Sequence, residues 1–227
     1  MQARKSNLPI PYMTFAILII LLVVFLVETF TGGSTNAAVL LRLGAMNNLI
    51  VASQDQFWRL FTAQFLHIGW LHLASNAVMI YYVGQYLEPI IGSWRFLLIY
   101  LLSGVGGNLL SFACGSDYSV AAGASTALFG LFGAIIAIYF KNKQIPAIFA
   151  LGRQALALAI INLFLDLFMK DIDILGHIGG LAAGFFLSIA IGNANLQKYH
   201  SKIRILAGVV LILYSVWCLR QGMVITR

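Results

Sequence analysis

Apolar residues run almost without interruption over seven stretches of the chain, at about 11–30, 70–91, 94–114, 121–140, 145–168, 175–193 and 203–220. Each is close to the roughly 20 residues that carry an α-helix across the ~30 Å hydrocarbon core of a bilayer. The pattern predicts seven spanning helices. The first follows Arg4 and Lys5, as the apolar core of a signal peptide does, but it exceeds the roughly 7–15 residues of such a core and is expected to be a retained helix. Glycine and serine dilute the third and sixth stretches, a composition that membrane helices tolerate where they pack closely. Residues 31–69 break the pattern. They are too apolar for a free linker, with Leu40, Leu41, Leu43, Phe57, Trp58, Phe61 and Phe65, and too interrupted to span; they predict a partly interfacial, helical loop.

Composition agrees with the bilayer as solvent. Of the 227 residues, 61% are hydrophobic and 9% charged, against about 25% charged in a soluble domain, so the polar surface of a water-soluble fold is excluded. The fold class is all-α and polytopic. The net charge of +7 is spread along the chain without a basic stripe interleaved with aromatics, so nucleic acid is not an expected partner. Its distribution fits topology instead. With the N-terminus in the cytoplasm, the inner face collects Arg4, Lys5, Arg95, Lys141, Lys143, Arg153, Lys198, Lys202 and Arg204, and the outer face keeps Arg42, Arg59, Lys170, Arg220 and Arg227. The acidic residues Glu28, Asp55, Asp117, Asp166, Asp171 and Asp173 fall outside, and Glu88 inside. Cys114 and Cys218 are too few and too isolated for a disulfide framework or a CxxC site, and read as two buried thiols.

Polar side chains inside apolar spans are costly and mark function. His72 and Asn76 lie on the second span, Ser125 on the fourth and His177 on the sixth. All three helices run inward from the outer face, and each residue lies within about two turns of its helix start, so 1.5 Å per residue brings all four to one depth. His72 and Asn76 are i and i+4 and share a helix face. Ser125 follows Gly123 and Ala124 at a helix N-terminus, where free N–H groups favour a developing anion. Gly180 and Gly184 extend the face of His177, and Gly130, Gly133 and Ala137 offer a small-residue stripe on the fourth span, so these two helices can approach closely. On ideal helical geometry that stripe lies roughly 80° to 140° from Ser125, which places the serine beside the contact rather than at its centre. A serine hydroxyl becomes nucleophilic when a base takes its proton, and neutral histidine is suited to that role. Ser125 and His177 supply the pair. No carboxylate stands out as a third member, Asp171 and Asp173 lying in the loop before His177, so a dyad is expected. His72, Asn76 and the Ser125 N–H form the expected oxyanion site.

With these residues in order, the sequence resembles the rhomboid family of intramembrane serine proteases. The resemblance runs from Trp58-Arg59 through His67, His72 and Asn76, then Glu88 with Gly92, Gly123-Ala124-Ser125, and Gly176-His177-Ile178-Gly179-Gly180 with Gly184. It implies a six-helix catalytic core at 11–193 after a short cytoplasmic segment, 1–10. Residues 194–227 then hold a cytoplasmic loop, a seventh helix and a short external tail, a six-plus-one arrangement. It implies Ser125 as nucleophile, His177 as general base, His72 and Asn76 as oxyanion donors, substrates that are other transmembrane proteins, and no metal or cofactor. The expected location is the cell membrane, with the C-terminus external. One position departs from the family's Gly-x-Ser-Gly: Thr126 replaces the last glycine, and its β-branch is expected to crowd the site or the packing against the sixth span.

Taken singly, the same residues have blander readings. Ser125 is a small packing residue, Asn76 an interhelical donor, His67 a structural hydrogen-bond partner, Trp58 an interface anchor and Arg59 a donor that orders its loop. Only their joint order and depth favour chemistry. A metalloprotease needs HExxH and an intramembrane aspartyl protease Gly-x-Gly-Asp, and neither occurs. A transporter built on an internal repeat finds no repeat here. The alternative that stands is a catalytically inactive rhomboid-like protein that binds or escorts membrane clients.

Overall fold

The computed structural model describes residues 10–169, 172–192 and 196–225. Arg4, Lys5, Lys170, Asp171 and Arg227, used above to weigh topology, and the boundary at 193–194 lie outside these residues. The helices are α1 (Tyr12–Phe30), α2 (Ala37–Leu43), α3 (Asn48–Ser53), α4 (Arg59–Thr62), α5 (Trp70–Ile91), α6 (Ser93–Cys114), α7 (Ser125–Asn142), α8 (Pro146–Asp166), α9 (Ile174–Ile191) and α10 (Ser201–Ile225), with a 3₁₀ turn at Ala63–Phe65. Among the described residues no β-strand forms, and Met46 and Ala121 share one isolated antiparallel bridge.

Six of these helices, α1, α6, α7, α8, α9 and α10, are both long and apolar enough to cross a bilayer. The two stretches diluted by glycine and serine are among them. The exception is α5. Its 22 residues are sufficient in length, but His72, Ser75, Asn76, Gln85 and Glu88 lower its mean hydropathy. The weakest of the seven spans is thus one that carries candidate chemistry.

Lipid tails are as apolar as leucine, so membrane helices associate through close packing and polar contacts rather than by hiding grease from water. Here α6, α7 and α9 meet along glycine seams. A Cβ on Gly184 would collide with the Gly130 carbonyl, one on Gly133 with the Leu181 carbonyl, and one on Gly180 with the Thr126 carbonyl. On α6, a Cβ at Gly106 would strike Ala183 and one at Gly107 the Gly176 carbonyl. The backbones therefore touch, and Ser125 flanks the seam as its helical offset predicts. Around this centre α1 and α5 pack through Ile17, Leu21, Ile80 and Leu87, all buried.

Helix ends are satisfied by distant side chains. The residue before α1 is Pro11, which offers no side-chain cap. The Glu88 carboxylate, at the far end of α5, accepts the Met13 and Thr14 N–H groups at 3.0 and 2.8 Å and the Thr14 hydroxyl at 2.7 Å. It thereby fills the orphan donors and places a negative charge at the positive end of the helix dipole. Arg204 on α10 donates to the Ala190 and Ile191 carbonyls that end α9. Cys218 is buried but Cys114, at the end of α6, is exposed, which corrects the expectation of two buried thiols; neither is bonded.

Gly184→Val is expected to lower the unfolding midpoint in mild detergent sharply, since a side chain facing a carbonyl must push the two helix backbones apart, at a cost of about 3 kcal/mol or more. Gly208→Val, with open space around its Cα, is the control and should leave the midpoint unchanged.

Candidate active site

The loop at 31–69 is a scaffold for the serine. Arg59 is buried and donates from Nη1 to the Leu41 and Ala45 carbonyls at 2.6 and 2.9 Å and from Nε to Gln56 at 2.7 Å, while burial lowers its pKa. Trp58 is half exposed and lies 4.7 Å from that guanidinium across its ring. Asn48 and Asn108 tie the loop to α6 through the Ser111 and Leu60 carbonyls. The loop then holds the strand-like run that leads into α7. Met46 pairs with Ala121, the Gly123 N–H donates to the Ala63 carbonyl at 3.0 Å, and the Ala124 N–H donates to His67 Nε2 at 3.4 Å. His67 itself is fixed from behind, its own N–H donating to the buried Glu28 carboxylate at 3.1 Å.

Gly123 is the hinge of this run. Its φ of +152° is one that side-chain-bearing residues rarely adopt. A Cβ there would stand 2.7 Å from His72 Cε1, 2.9 Å from His72 Nε2 and 3.5 Å from Ser125 Oγ. Glycine therefore keeps open the space that His72 and Ser125 both border.

Ser125 begins α7, so its N–H has no acceptor within the helix. Its Oγ lies 2.7 Å from His177 Nε2, bridging 52 positions of sequence. The His177 ring is stacked on Phe129, with centroids 4.3 Å apart and planes 16° from parallel, which fixes its plane. Its other nitrogen, Nδ1, lies 2.7 Å from Asp166 Oδ2. With Nδ1–H donating to the carboxylate, Nε2 is left as the acceptor for the serine hydroxyl. Asn76 is buried on α5, and its amide nitrogen donates to nothing among the described residues. Ser125 and His72 are half-buried, so the site is reachable.

The structure thus brings Ser125 and His177 together and sets His72 beside the serine. Asp166 was missed. It lies at the end of α8, eleven positions before His177, while Asp173, nearer in sequence, caps α9 by accepting the Gly176 N–H at 2.8 Å. The one available signal was an acidic residue at the outer end of a span.

Thr126 packs against the sixth span, α9, and against α6. It is buried where α6, α7 and α9 meet, with its Cβ 3.0 Å from the place a Gly107 Cβ would occupy and its Cγ2 2.9 Å from that of Gly176. Glycines on the two partner helices make room for the threonine. Among the described residues no cluster of His, Cys, Asp or Glu has the arrangement of a metal site.

Comparison with known proteins agrees with this architecture. A family model described as "Rhomboid domain" matches residues 54–194. The chain is 38% identical over 213 residues to "Rhomboid protease GluP" of Bacillus subtilis (strain 168), covering 94% of this chain and 41% of that protein. It is 33% identical to "Putative rhomboid protease YdcA" of the same organism, covering 67% of this chain and 75% of that one. It is 35% identical to "RHOMBOID-like protein 1" of Arabidopsis thaliana, over 64% and 37% of the two chains. The chain belongs to the rhomboid family and is a multi-pass membrane protein. It spans about two fifths of the length of the GluP protein.

Two outcomes follow from the scaffold. Thr126→Gly removes a buried side chain and adds a helix-breaking residue, so it should destabilise by about 1–3 kcal/mol in detergent unfolding. Burial, with repulsion from His72 second, lowers the His67 pKa from 6.5 to about 3. The unfolded chain therefore binds a proton below pH 6.5 that the folded state refuses. The stability His67 contributes is complete above pH 6.5 and falls with pH towards about 3, at roughly 1.4 kcal/mol per unit. Between pH 7 and 4 the dependence of unfolding free energy on pH should differ between wild type and His67→Gln by about one proton's worth, the wild type losing more stability towards acid.

Proposed function

We propose that this protein is an intramembrane serine endopeptidase in which Ser125 is the nucleophile and His177 the general base. The observation that carries the reading is the 2.7 Å contact between Ser125 Oγ and His177 Nε2 at the outer ends of α7 and α9. As Oγ attacks a scissile carbonyl carbon, its proton passes to Nε2 and a C–O bond forms. The tetrahedral oxyanion is met by the Ser125 N–H, His72 and the Asn76 amide, whose buried donor has no partner among the described residues. Nε2 then gives its proton to the leaving amine as the C–N bond breaks, and water, activated by the same imidazole, releases the acyl group.

Transmembrane protein segments are the substrates this reading assigns. Beneath the site an apolar cleft of about 370 Å³ lies between α5, α7 and α8, lined by Met79, Tyr82, Val83, Phe132, Ile135 and Leu158. It suits the side chains of an apolar segment held at membrane depth. The orientation follows the cation bias: Arg95, Lys141, Lys143, Lys198, Lys202 and Arg204 gather at the ends opposite Ser125, so the N-terminus is cytoplasmic, the site faces outward, and the six-helix core with its added α10 resides in the cell membrane. The escort alternative draws its support from Thr126, whose side chain packs into the junction of α6, α7 and α9.

Reconstituted with a single-span substrate, wild type should cleave, and Ser125→Ala and His177→Ala should each lose about 10³-fold or more in kcat, with the unfolding midpoint unchanged in Ser125→Ala and lowered in His177→Ala, which leaves the Asp166 carboxylate unpaired. A fluorophosphonate probe should label wild type and not Ser125→Ala. Turnover retained in either variant, or labelling that survives the loss of the serine hydroxyl, would sink the assignment.

A further inference from the structure

Asp166 is the residue of the site with no assigned role. It ends α8, is almost wholly enclosed, with its side chain 10% exposed, and its Oδ2 lies 2.7 Å from His177 Nδ1, whose side chain is 8% exposed. A carboxylate so enclosed at the end of a membrane helix is expensive unless it is paired. The partner it has found is the nitrogen opposite the one that faces Ser125.

We infer that Asp166 is a positioning residue for the proposed hydrolysis, turning the Ser125–His177 pair into a three-membered relay and making its readiness depend on the seating of α8. The inference rests on the hydrolytic reading. The carboxylate accepts the Nδ1 proton and so fixes the tautomer that leaves Nε2 free to receive the proton of Ser125 Oγ. When Nε2 has taken that proton, the imidazolium carries a positive charge against the negative Asp166, and the charge is neutralised where the enclosing helices admit little water. Asp166 itself never takes up a proton. Nδ1 keeps its hydrogen throughout, and the proton from the serine goes on to the leaving amine. Phe129 sets the plane of the ring by stacking, but a phenyl face cannot choose between tautomers; Asp166 does.

The helix that carries Asp166 gives the contact a second meaning. α8 buries Ile148, Gly152, Ala155 and Ala159 on its inner face, and most of its length is exposed. Among the described residues, the bond to His177 is the one side-chain hydrogen bond that joins α8 to another helix. The imidazole is therefore aligned only while the end of α8 is docked.

The test uses the full chain in proteoliposomes with a single-span peptide substrate, comparing wild type, Asp166→Asn, Asp166→Glu and Ser125→Ala. Asp166→Asn is expected to lower kcat by about 10²- to 10⁴-fold with KM within threefold of wild type, because an amide can hold the ring but favours the wrong tautomer and carries no charge. Among the described residues, Asp166 from α8 lies against His177 Nδ1, and His72 on α5 stands beside the space that Ser125 borders. With the carboxylate gone and His72 unchanged, the acid limb of the kcat–pH profile should move to lower pH by about one unit or more. A group that only braced the fold would lower the unfolding midpoint and leave that limb in place. Asp166→Glu keeps the charge, so its acid limb should match wild type and its kcat should lie between the other two. Should the amide variant fail to fold, Asp166→Ser carries the same comparison with less bulk. An Asp166→Asn enzyme within threefold of wild type in kcat, with an unmoved acid limb, overturns the role of Asp166 and leaves the hydrolytic reading intact, provided Ser125→Ala is dead. A wild type that cleaves nothing overturns both.

Discussion

The backbone contact between α7 and α9 is the constraint on which the molecule depends. In a bilayer no hydrophobic force drives one apolar helix onto another, so two helices come within backbone distance only where side chains are absent. Gly130, Gly133, Gly180 and Gly184 remove them along one line, and a Cβ at any of these positions would meet a carbonyl or a side chain of a neighbouring helix. A serine and an imidazole separated by 52 positions of sequence can reach one another because the helices beneath them are this close. The same seam explains Thr126. A larger residue on α7 is tolerated beside Ser125 because Gly107 and Gly176 on α6 and α9 leave space for it.

Placed on that frame, the polar groups obey a second rule, that a buried donor or charge must find a partner. Glu88 serves the start of α1, Arg59 gathers two loop carbonyls, and Glu28 holds the N–H of His67. Each tie joins segments 14 or more positions apart in sequence, and those made by Arg59, Glu28 and His67 lead from the loop at 31–69 towards Gly123 and Ala124, the residues ahead of the serine. Among the described residues several buried polar atoms lack a partner, including Gln64 Oε1, Asp173 Oδ2 and the Tyr100 and Thr126 hydroxyls. Asn76 Nδ2 is a donor on the helix face that His72 shares, and a donor is what the proposed oxyanion requires.

Hydropathy made the spans legible, because a bilayer reads only length and apolarity. It was least informative for α5, where the polar residues of the site dilute the signal that marks a span. The convergence of His72, Ser125 and His177 was legible from depth alone, since all three lie near the same end of their helices. Asp166 was not. Proximity in sequence pointed to Asp171 and Asp173. Asp173 is turned to cap α9, whereas Asp166 reaches His177 from another helix across the connection between them. The interior of the loop was likewise hidden. Its apolar residues foretold helical structure, but the pairing of Met46 with Ala121 joins it to the connection between α6 and α7, and the bonds from Arg59 to the Leu41 and Ala45 carbonyls link parts of the loop 18 and 14 positions apart.

The proposed hydrolysis inside a membrane raises the question of water, which the depth of the polar groups addresses. Ser125 is the first residue of α7, His72 the third of α5, His177 the fourth of α9, and Asp166 the last of α8. At 1.5 Å per residue all lie within about one helical turn of the same end of the helix bundle. The helix interiors below them are lined by Ile80, Leu87, Phe132 and Ile135, which offer nothing to hydrate. The chain thus confines these polar groups to one rim, where His72 and Ser125 are half-buried and open to solvent. Below that rim the apolar contacts and glycine seams hold the helices in register. A charged group one turn deeper would lose that access and stand with its desolvation uncompensated, so the position of the site at the ends of α5, α7, α8 and α9 is set by the same bilayer energetics that made the spans.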